Sequence, residues 1–484
     1  MLRMRSDVKD AGAAGPAGDS SAADAGYPGL PMPRRFYAIA AISFGLALLV
    51  IDGQIANVAL PTLSRELGVG EGAITSVVTI YQLVMVMGLL PLASLGDRIG
   101  HRKLYQIGQL VFCIASALCF FVDSFSMLLV LRAGQAIGAS MAMAVNVALV
   151  RAIYPEKSLG AGLGFNSIII ASSAALAPTL GGYIVAHFPW QAVFFVAAPL
   201  AVISLLLGRA LPDPQPRPGK TDWTGGIWSA VTMALLIGGL QLASHENTRW
   251  LGIASVVAGV ASTWFLVKRE STRDRPIVPV DLLKMPVIGL SALAAVAVFL
   301  SAGALMITLP FRLEQGMGYS PDQVGLLLLP FPLTMLFVSP TAGWLSDRVA
   351  ASKLGVPGLI VAIIGLVLLA MLPDDAGGLD VAWRLSITAA GFGFFLAPNS
   401  RLAIGNAPMH RSAAAGGVLS TSRLLGQATA AAVVGLLLGL GLGLGPVPFY
   451  VSIGFAVLAA ACTMFRFNTV TAAQARQSEA SAAL

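Results

Sequence analysis

Residues 93–98 read Ala-Ser-Leu-Gly-Asp-Arg, and residues 343–348 read Gly-Trp-Leu-Ser-Asp-Arg. Each hexapeptide closes a long apolar run and opens a short basic loop, so the chain repeats itself across half its length. Outward from these two points the sequence is a succession of apolar runs broken by turn residues and charges. Of 484 residues, 56% are apolar and only 11% charged, with a mean hydropathy of +0.81. A globular domain in water carries about 25% charged residues, so a soluble enzyme is excluded. In lipid every backbone group must be satisfied within helices or closed barrels. A barrel would show short segments of alternating polarity, whereas these runs are continuous. The class is therefore an all-α polytopic membrane protein.

At about 20 apolar residues per crossing, the runs define fourteen spans: 36–60, 73–95, 103–122, 127–151, 159–187, 190–209, 223–243, 250–267, 286–310, 321–344, 354–372, 381–404, 412–440 and 446–465. The two hexapeptides lie 250 residues apart, more than six spans with their loops would occupy and close to what eight require. The expected organisation is a disordered cytoplasmic tail (1–34), an N-terminal six-helix bundle (35–215), two inserted helices (216–280), a C-terminal six-helix bundle (281–467) and a cytoplasmic tail (468–484).

The net charge of +7 could in a soluble protein signal nucleic-acid binding; its distribution gives another reading. With the N-terminus inside, the tails and loops on that face hold Arg34, Arg35, Arg98, Arg102, Lys103, Arg151, Lys157, Arg209, Arg217, Lys220, Lys268, Arg269, Arg273, Arg275, Lys284, Arg348, Lys353, Arg411 and Arg466, while the opposite loops hold only Arg65, Arg249 and Arg312. Cytoplasmic loops collect Lys and Arg, so both termini are expected in the cytoplasm and no nucleic-acid partner is implied. Cys113, Cys119 and Cys462 lie inside apolar runs without metal-ligand spacing, and the four histidines are scattered. Gly219-Lys220-Thr221 resembles the end of a phosphate loop, but Pro214 stands where such a loop needs its first glycine. No cofactor or metal is expected.

Charges inside a bilayer are costly and usually functional. Asp52 lies deep in the first span and is a reasonable site for protonation, or else a packing element hydrogen-bonded to a neighbouring helix. Arg132 lies a few residues inside the fourth span, where it is expected to face a cavity or a partner, or else to snorkel to the outer interface. Arg423, near the middle of the thirteenth span, needs a partner or water, and could meet an anionic or carbonyl group of a substrate.

Six segments resemble the major facilitator superfamily, specifically its fourteen-span drug/proton antiporter branch, among them the outer-loop segment from Leu309 to Pro321 and Ser422-Arg423-Leu-Leu-Gly426 in the thirteenth span. Leu95-Gly-Asp97-Arg98-Ile-Gly100-His101-Arg102-Lys103 is similar to the family's loop between spans two and three. Leu131-Arg132-Ala-Gly-Gln135-Ala136-Ile-Gly138 resembles its R-x-x-Q-G element. Ala177-Pro178-Thr-Leu-Gly181-Gly182 resembles its G-P-x-x-G-G element, and Ile51-Asp52-Gly-Gln54-Ile-Ala-Asn57 begins a match to its first-span motif. Ala93, His101, Ala136 and Ala177 depart from the family patterns.

The resemblance implies a major facilitator fold of two six-helix bundles plus two extra helices, in a bacterial inner membrane. It also implies proton-driven export of small amphipathic compounds by a monomer, through alternating access. On that reading Asp52 and Arg132 couple the proton. Asp97, Arg98, Gly100, Arg102, Lys103, Asp347 and Arg348 form a conformational latch, and Pro178, Gly181 and Gly182 form a hinge. Substrate would lie between the halves against Asn57, Gln82, Asn146, Asn166, Asn399 and Arg423. Arg312 and Glu314, at the ninth-span outer loop, are expected to form a local ion pair. With so few acids inside the spans, the substrate could be neutral, monocationic or anionic. A proton symporter importing a metabolite is the alternative, and a membrane-embedded receptor or enzyme a remote one.

Overall fold

The computed structural model describes residues 29–155, 158–213, 222–244, 246–273, 278–346, 348–349, 351–408 and 411–482. Each expected span falls on a helix. The first six are α1 (Arg34–Glu66), α2 (Glu71–Ile99), α3 (His101–Cys119), α4 (Phe125–Ile153), α5 (Leu159–His187) and α6 (Ala192–Ala210). The inserted pair is α7 (Trp223–Ala243) and α8 (Arg249–Glu270). The last six are α9 (Pro286–Gly316), α10 (Pro321–Leu345), α11 (Ala351–Ala370), α12 (Gly378–Gly405), α13 (Ser412–Gly439) and α14 (Val447–Ala482).

Thirteen of these are long and apolar enough to cross a membrane. The remaining one, α3, is a 19-residue helix whose first half carries His101, Arg102, Lys103, Gln106 and Gln109, and it packs between α4 and α6. The expected tail at 1–34 lies outside the described residues as far as residue 28, as does Asp347. At the other end, the helix of α14 runs on past residue 467 to Ala482.

Within the first half α1 packs on α5 and α6, and α4 packs on α2 and α3; in the second, α9 packs on α13 and α14, and α12 on α10 and α11. Close approaches use glycine. Gly108 and Gly138 bring α3 and α4 together so tightly that a Cβ on Gly138 would stand 2.6 Å from the Phe112 backbone nitrogen. In membranes, where lipid tails are as apolar as leucine, such backbone proximity supplies much of the helix association.

The inserted pair leans on α2 and α13. Gln241 of α7 pins it there, donating to Ser76 Oγ at 2.8 Å and accepting from Thr79 Oγ1 at 3.1 Å. Its outer helix presents Trp250, Val257, Val260 and Trp264, a lipid-facing surface by composition. At the basic end, Arg269 holds both carboxylate oxygens of Asp222 at 2.9 Å, and Asp222 caps α7 by accepting from Gly225 N at 3.1 Å.

The two halves meet at the end carrying Arg65. Thr179 Oγ1 donates to Gly325 O at 3.4 Å. A Cβ on Gly182 would overlap the Pro321 carbonyl, and one on Gly325 would stand 2.6 Å from Pro178 O. Between the halves lies a cavity of about 1060 Å³. It reaches from Asn57, Pro178 and Ile307, beneath this seal, to Gly164, Phe165 and Pro340 toward the opposite end.

Candidate functional site

Asp52 of α1 and Arg132 of α4 meet at 2.8 Å between Oδ2 and Nη1, both side chains with no solvent exposure. Arg132 enters two turns after the start of α4, where Ser124 caps the helix by accepting from Met127 N at 3.4 Å. Its guanidinium does not snorkel to the helix end. It turns inward and also donates through Nη1 to Gln135 Oε1 at 2.8 Å and through Nε to Val77 O at 3.3 Å. Gln135 is held in turn by donating to Ser116 Oγ at 2.8 Å. The rings of Tyr81 and Phe194 cover the guanidinium at 4.2 and 5.1 Å.

This is a charge pair with a built shell, as the cost of removing two ions from water requires. Its satisfaction is incomplete: Asp52 Oδ1, Arg132 Nη2 and the Tyr81 hydroxyl lack ordinary hydrogen bonds. Tyr81 and Gln135 were not singled out from sequence as site residues. Gln135 stood inside the motif that carries Arg132, and Tyr81 directly precedes Gln82.

Tyr81 also lines the large cavity, as do Val50 before Asp52 and Gly53 and Gln54 after it. The buried pair therefore sits one side chain behind the cavity wall. Of the six residues expected to line it, Asn57, Gln82 and Arg423 do. Asn57 Oδ1 and Gln82 Oε1 are buried without hydrogen-bond partners, while Asn57 donates to Gln54 at 3.3 Å. Met85, Met143, Met306 and Met335 supply much of the apolar wall.

The other three are placed elsewhere. Asn166 donates to Asn146 at 3.1 Å, so α5 and α4 spend these amides on each other. Asn399 accepts from Arg466 Nη1 at 2.5 Å and donates to Ser291 O at 3.1 Å. Arg466, read from sequence as a loop charge, is in fact 1% exposed. Its hydrogen bonds to Ser291 of α9 and Asn399 of α12 hold it inside the second bundle.

Arg312 and Glu314 do not pair with each other. They sit on a π-helical turn, Arg312–Gly316, and such an inserted residue re-aims successive side chains. Arg312 turns into its own half and donates to the carbonyls of Leu369 (3.2 Å) and Leu372 (2.5 Å). Glu314 crosses to the other half, where it binds Arg65 and accepts from Thr62 at 3.3 Å. Its side chain is 3% exposed and Oε2 has no hydrogen-bond partner.

At the opposite end, Asp97 is exposed and bonds His101 at 2.9 Å, four residues along, rather than any residue of the other half. Gly100 makes the turn from α2 to α3 with φ +99°, a backbone region open mainly to glycine, and a Cβ there would stand 2.9 Å from Asp213. Arg98 and Lys103 are exposed and Arg102 half-buried. Arg348 lies over the Trp344 ring at 4.1 Å. Pro178, Gly181 and Gly182 form one continuous surface of α5: Gly181 against Ile55 of α1 and Gly182 against α10.

A two-bundle helical protein with a central cavity between its halves is the architecture of a membrane transporter. The family model for the Major Facilitator Superfamily matches residues 42–431, and again 291–483, so the chain belongs to that superfamily. It is 39% identical over 413 residues to the Escherichia coli K12 protein called uncharacterized transporter YebQ, covering 85% of this chain and 90% of that one. It is 29% identical to the riboflavin transporter RibZ of Clostridioides difficile, over 81% of this chain and 86% of that one. The multidrug resistance protein Stp of Mycobacterium tuberculosis is also 29% identical, over 82% and 75%.

Among solved structures, the fold is similar to a bacterial homologue of the human lysosomal transporter Spinster in an inward-facing, unoccupied conformation. The TM-score is 0.63 with 17% identity, covering 91% of this chain and 98% of that one. It is also similar to a D-xylose-proton symporter, with a TM-score of 0.65 and 15% identity over 88% and 97%.

Proposed function

We propose that this transporter exports small amphipathic compounds from the cytoplasm in exchange for protons, with Asp52 as the proton site and the central cavity as the substrate site. The observation that carries the reading is the double position of Tyr81, which lines the cavity and covers the Arg132–Asp52 pair. A ligand in the cavity and a proton on Asp52 thus act on the same side chain. The conformation described, sealed at the Arg65 end with Asp52 paired, corresponds to the stage after proton release and before substrate entry.

In the cycle, the outward-facing form takes a proton onto Asp52, which neutralises the carboxylate and dissolves its pairing with Arg132. The change favours the inward-facing form, where proton release restores the pair and substrate enters. Each proton moving inward through 100 mV supplies about 2.3 kcal/mol, so nucleotide hydrolysis is not required. The methionine-rich wall suits varied ligands because thioether side chains repack around irregular shapes. Relatives that include a multidrug resistance protein support the same direction. On the positive-inside pattern, both termini lie in the cytoplasm.

The reading is tested in everted membrane vesicles from cells that overproduce the protein. Acidifying the vesicle interior should drive uptake of an exported compound, and collapsing the gradient with a protonophore should abolish it. Uptake driven only by an exterior-acid gradient would instead identify a symporter.

A further inference from the structure

The charges around the cavity are unusually one-sided. Arg423 is the ionised side chain that lines it, and among the described residues no Asp or Glu contributes to its wall. Asp52, behind Tyr81, is already committed to Arg132. The remaining polar lining comes from neutral groups such as Gln54, Asn57, Gln82 and Gln427.

The treatment of buried arginines sharpens the contrast. Arg132 has a carboxylate, Arg312 has two backbone carbonyls, and Arg466 has Ser291 and Asn399. Arg423 Nε is buried without a hydrogen-bond partner, and no acceptor from the described residues is aimed at its guanidinium. A cation inside a membrane protein requires a counter-charge, water or a ligand. Arg423 faces a cavity of about 1060 Å³, large enough for a drug-sized molecule. An organic cation entering this space would meet aromatic and thioether walls but also a fixed positive charge with no carboxylate to offset it.

We infer that the cavity selects amphipathic organic anions, whose carboxylate or sulfonate group is bound by Arg423 while the apolar body lies against Met85, Met306, Met335 and Phe331. Buried Asn57 Oδ1 and Gln82 Oε1, both lacking donors, then favour ligands whose body carries an N–H or O–H. This deepens the proposed function and rests on it for the cavity being the transport site. Export of an anion is also aided by a membrane potential that is negative inside, so substrate and inward-moving proton both draw on it.

Binding to the purified full-length protein in lipid nanodiscs tests the assignment with three probes sharing one body: pyrenebutyrate, pyrenebutanol and pyrenebutylamine. Empty nanodiscs correct for partition into lipid. The carboxylate should bind roughly tenfold or more tightly than the amine, the scale of a desolvated charge-assisted hydrogen bond. Arg423→Gln should remove that preference, weakening pyrenebutyrate several-fold more than pyrenebutanol, and Arg423→Lys should restore part of it. Equal or tighter binding of the amine overturns the inference, as does an Arg423→Gln variant that keeps the carboxylate preference or weakens all three probes alike. Binding requires no proton gradient, so its result is separate from transport. Arg423-dependent carboxylate binding without proton-driven export would overturn the proposed function alone; proton-driven export of cations but not anions would overturn this inference alone.

Discussion

Arg132 reaches Asp52 across two helices at 2.8 Å with neither side chain exposed, and the two partners differ in how they tolerate being left alone. Aspartate can take a proton and become neutral, whereas arginine stays charged. Removing one member of a buried pair typically costs about 3–5 kcal/mol when an uncompensated charge remains. Asp52→Asn is therefore expected to lower thermal stability more than Arg132→Gln. Unfolding temperatures of the purified variants check this, and the reverse order would contradict it.

Tyr81 separates the pair from the cavity. Tyr81→Phe keeps a ring over the guanidinium and should retain coupled transport at near the parent rate. Tyr81→Ala opens the pair to the cavity and should uncouple, so that substrate still binds but protons leak. Substrate binding and passive proton flux, measured together in proteoliposomes, distinguish these outcomes from simple misfolding.

Glu314 holds the seal at the Arg65 end, the outer end on the proposed orientation, by binding Arg65 of the other half. Glu314→Gln removes the ionic part of that contact and should shift the resting population toward the outward-open form. In a background without native cysteines, Thr179→Cys should then react several-fold faster with a membrane-impermeant maleimide applied from the Arg65 side. Gly325→Ala, which places a methyl 2.6 Å from Pro178 O, should have the same effect by a steric route. Unchanged labelling in both would remove this seal as a gate.

The Arg269 guanidinium, with the Thr224 hydroxyl and Gly225 amide, holds the Asp222 carboxyl well below the usual carboxylate range. A carboxylate depressed in the folded state stabilises above its unfolded pKa and loses that contribution as pH falls through the folded one. The attachment of α7 to α8 should therefore keep this contribution from neutral pH down to about pH 4. Asp222→Asn retains a capping side chain but loses the ion pair; Asp222→Ala loses both, a further cost of roughly 1 kcal/mol. Melting temperatures at pH 7 should fall in that order.

Much of this architecture was readable in the sequence because lipid imposes simple rules. Apolar runs must be helices, and their lengths placed every span on an observed helix. The charges within them, Asp52, Arg132 and Arg423, stood out for the same reason. What the runs do not encode is the direction in which a polar side chain points. Asn146 and Asn166, on neighbouring helices, satisfy each other, and nothing in their spacing separates that from a cavity lining. Glu314 meets Arg65 from the other half because a π-helical turn redirects it, a feature without a sequence signature here. Arg466 looked like a loop charge because apolarity falls after it, although its helix continues.

The central claim is that Asp52 carries the proton, and substrate-dependent proton movement in proteoliposomes tests it most directly. With a pH-sensitive dye inside, addition of an exported compound should produce proton flux opposite to substrate in the parent protein. In Asp52→Asn, substrate should still bind while this flux disappears. An Asp52→Asn protein that folds, binds substrate and exchanges it for protons at the parent rate would contradict the claim.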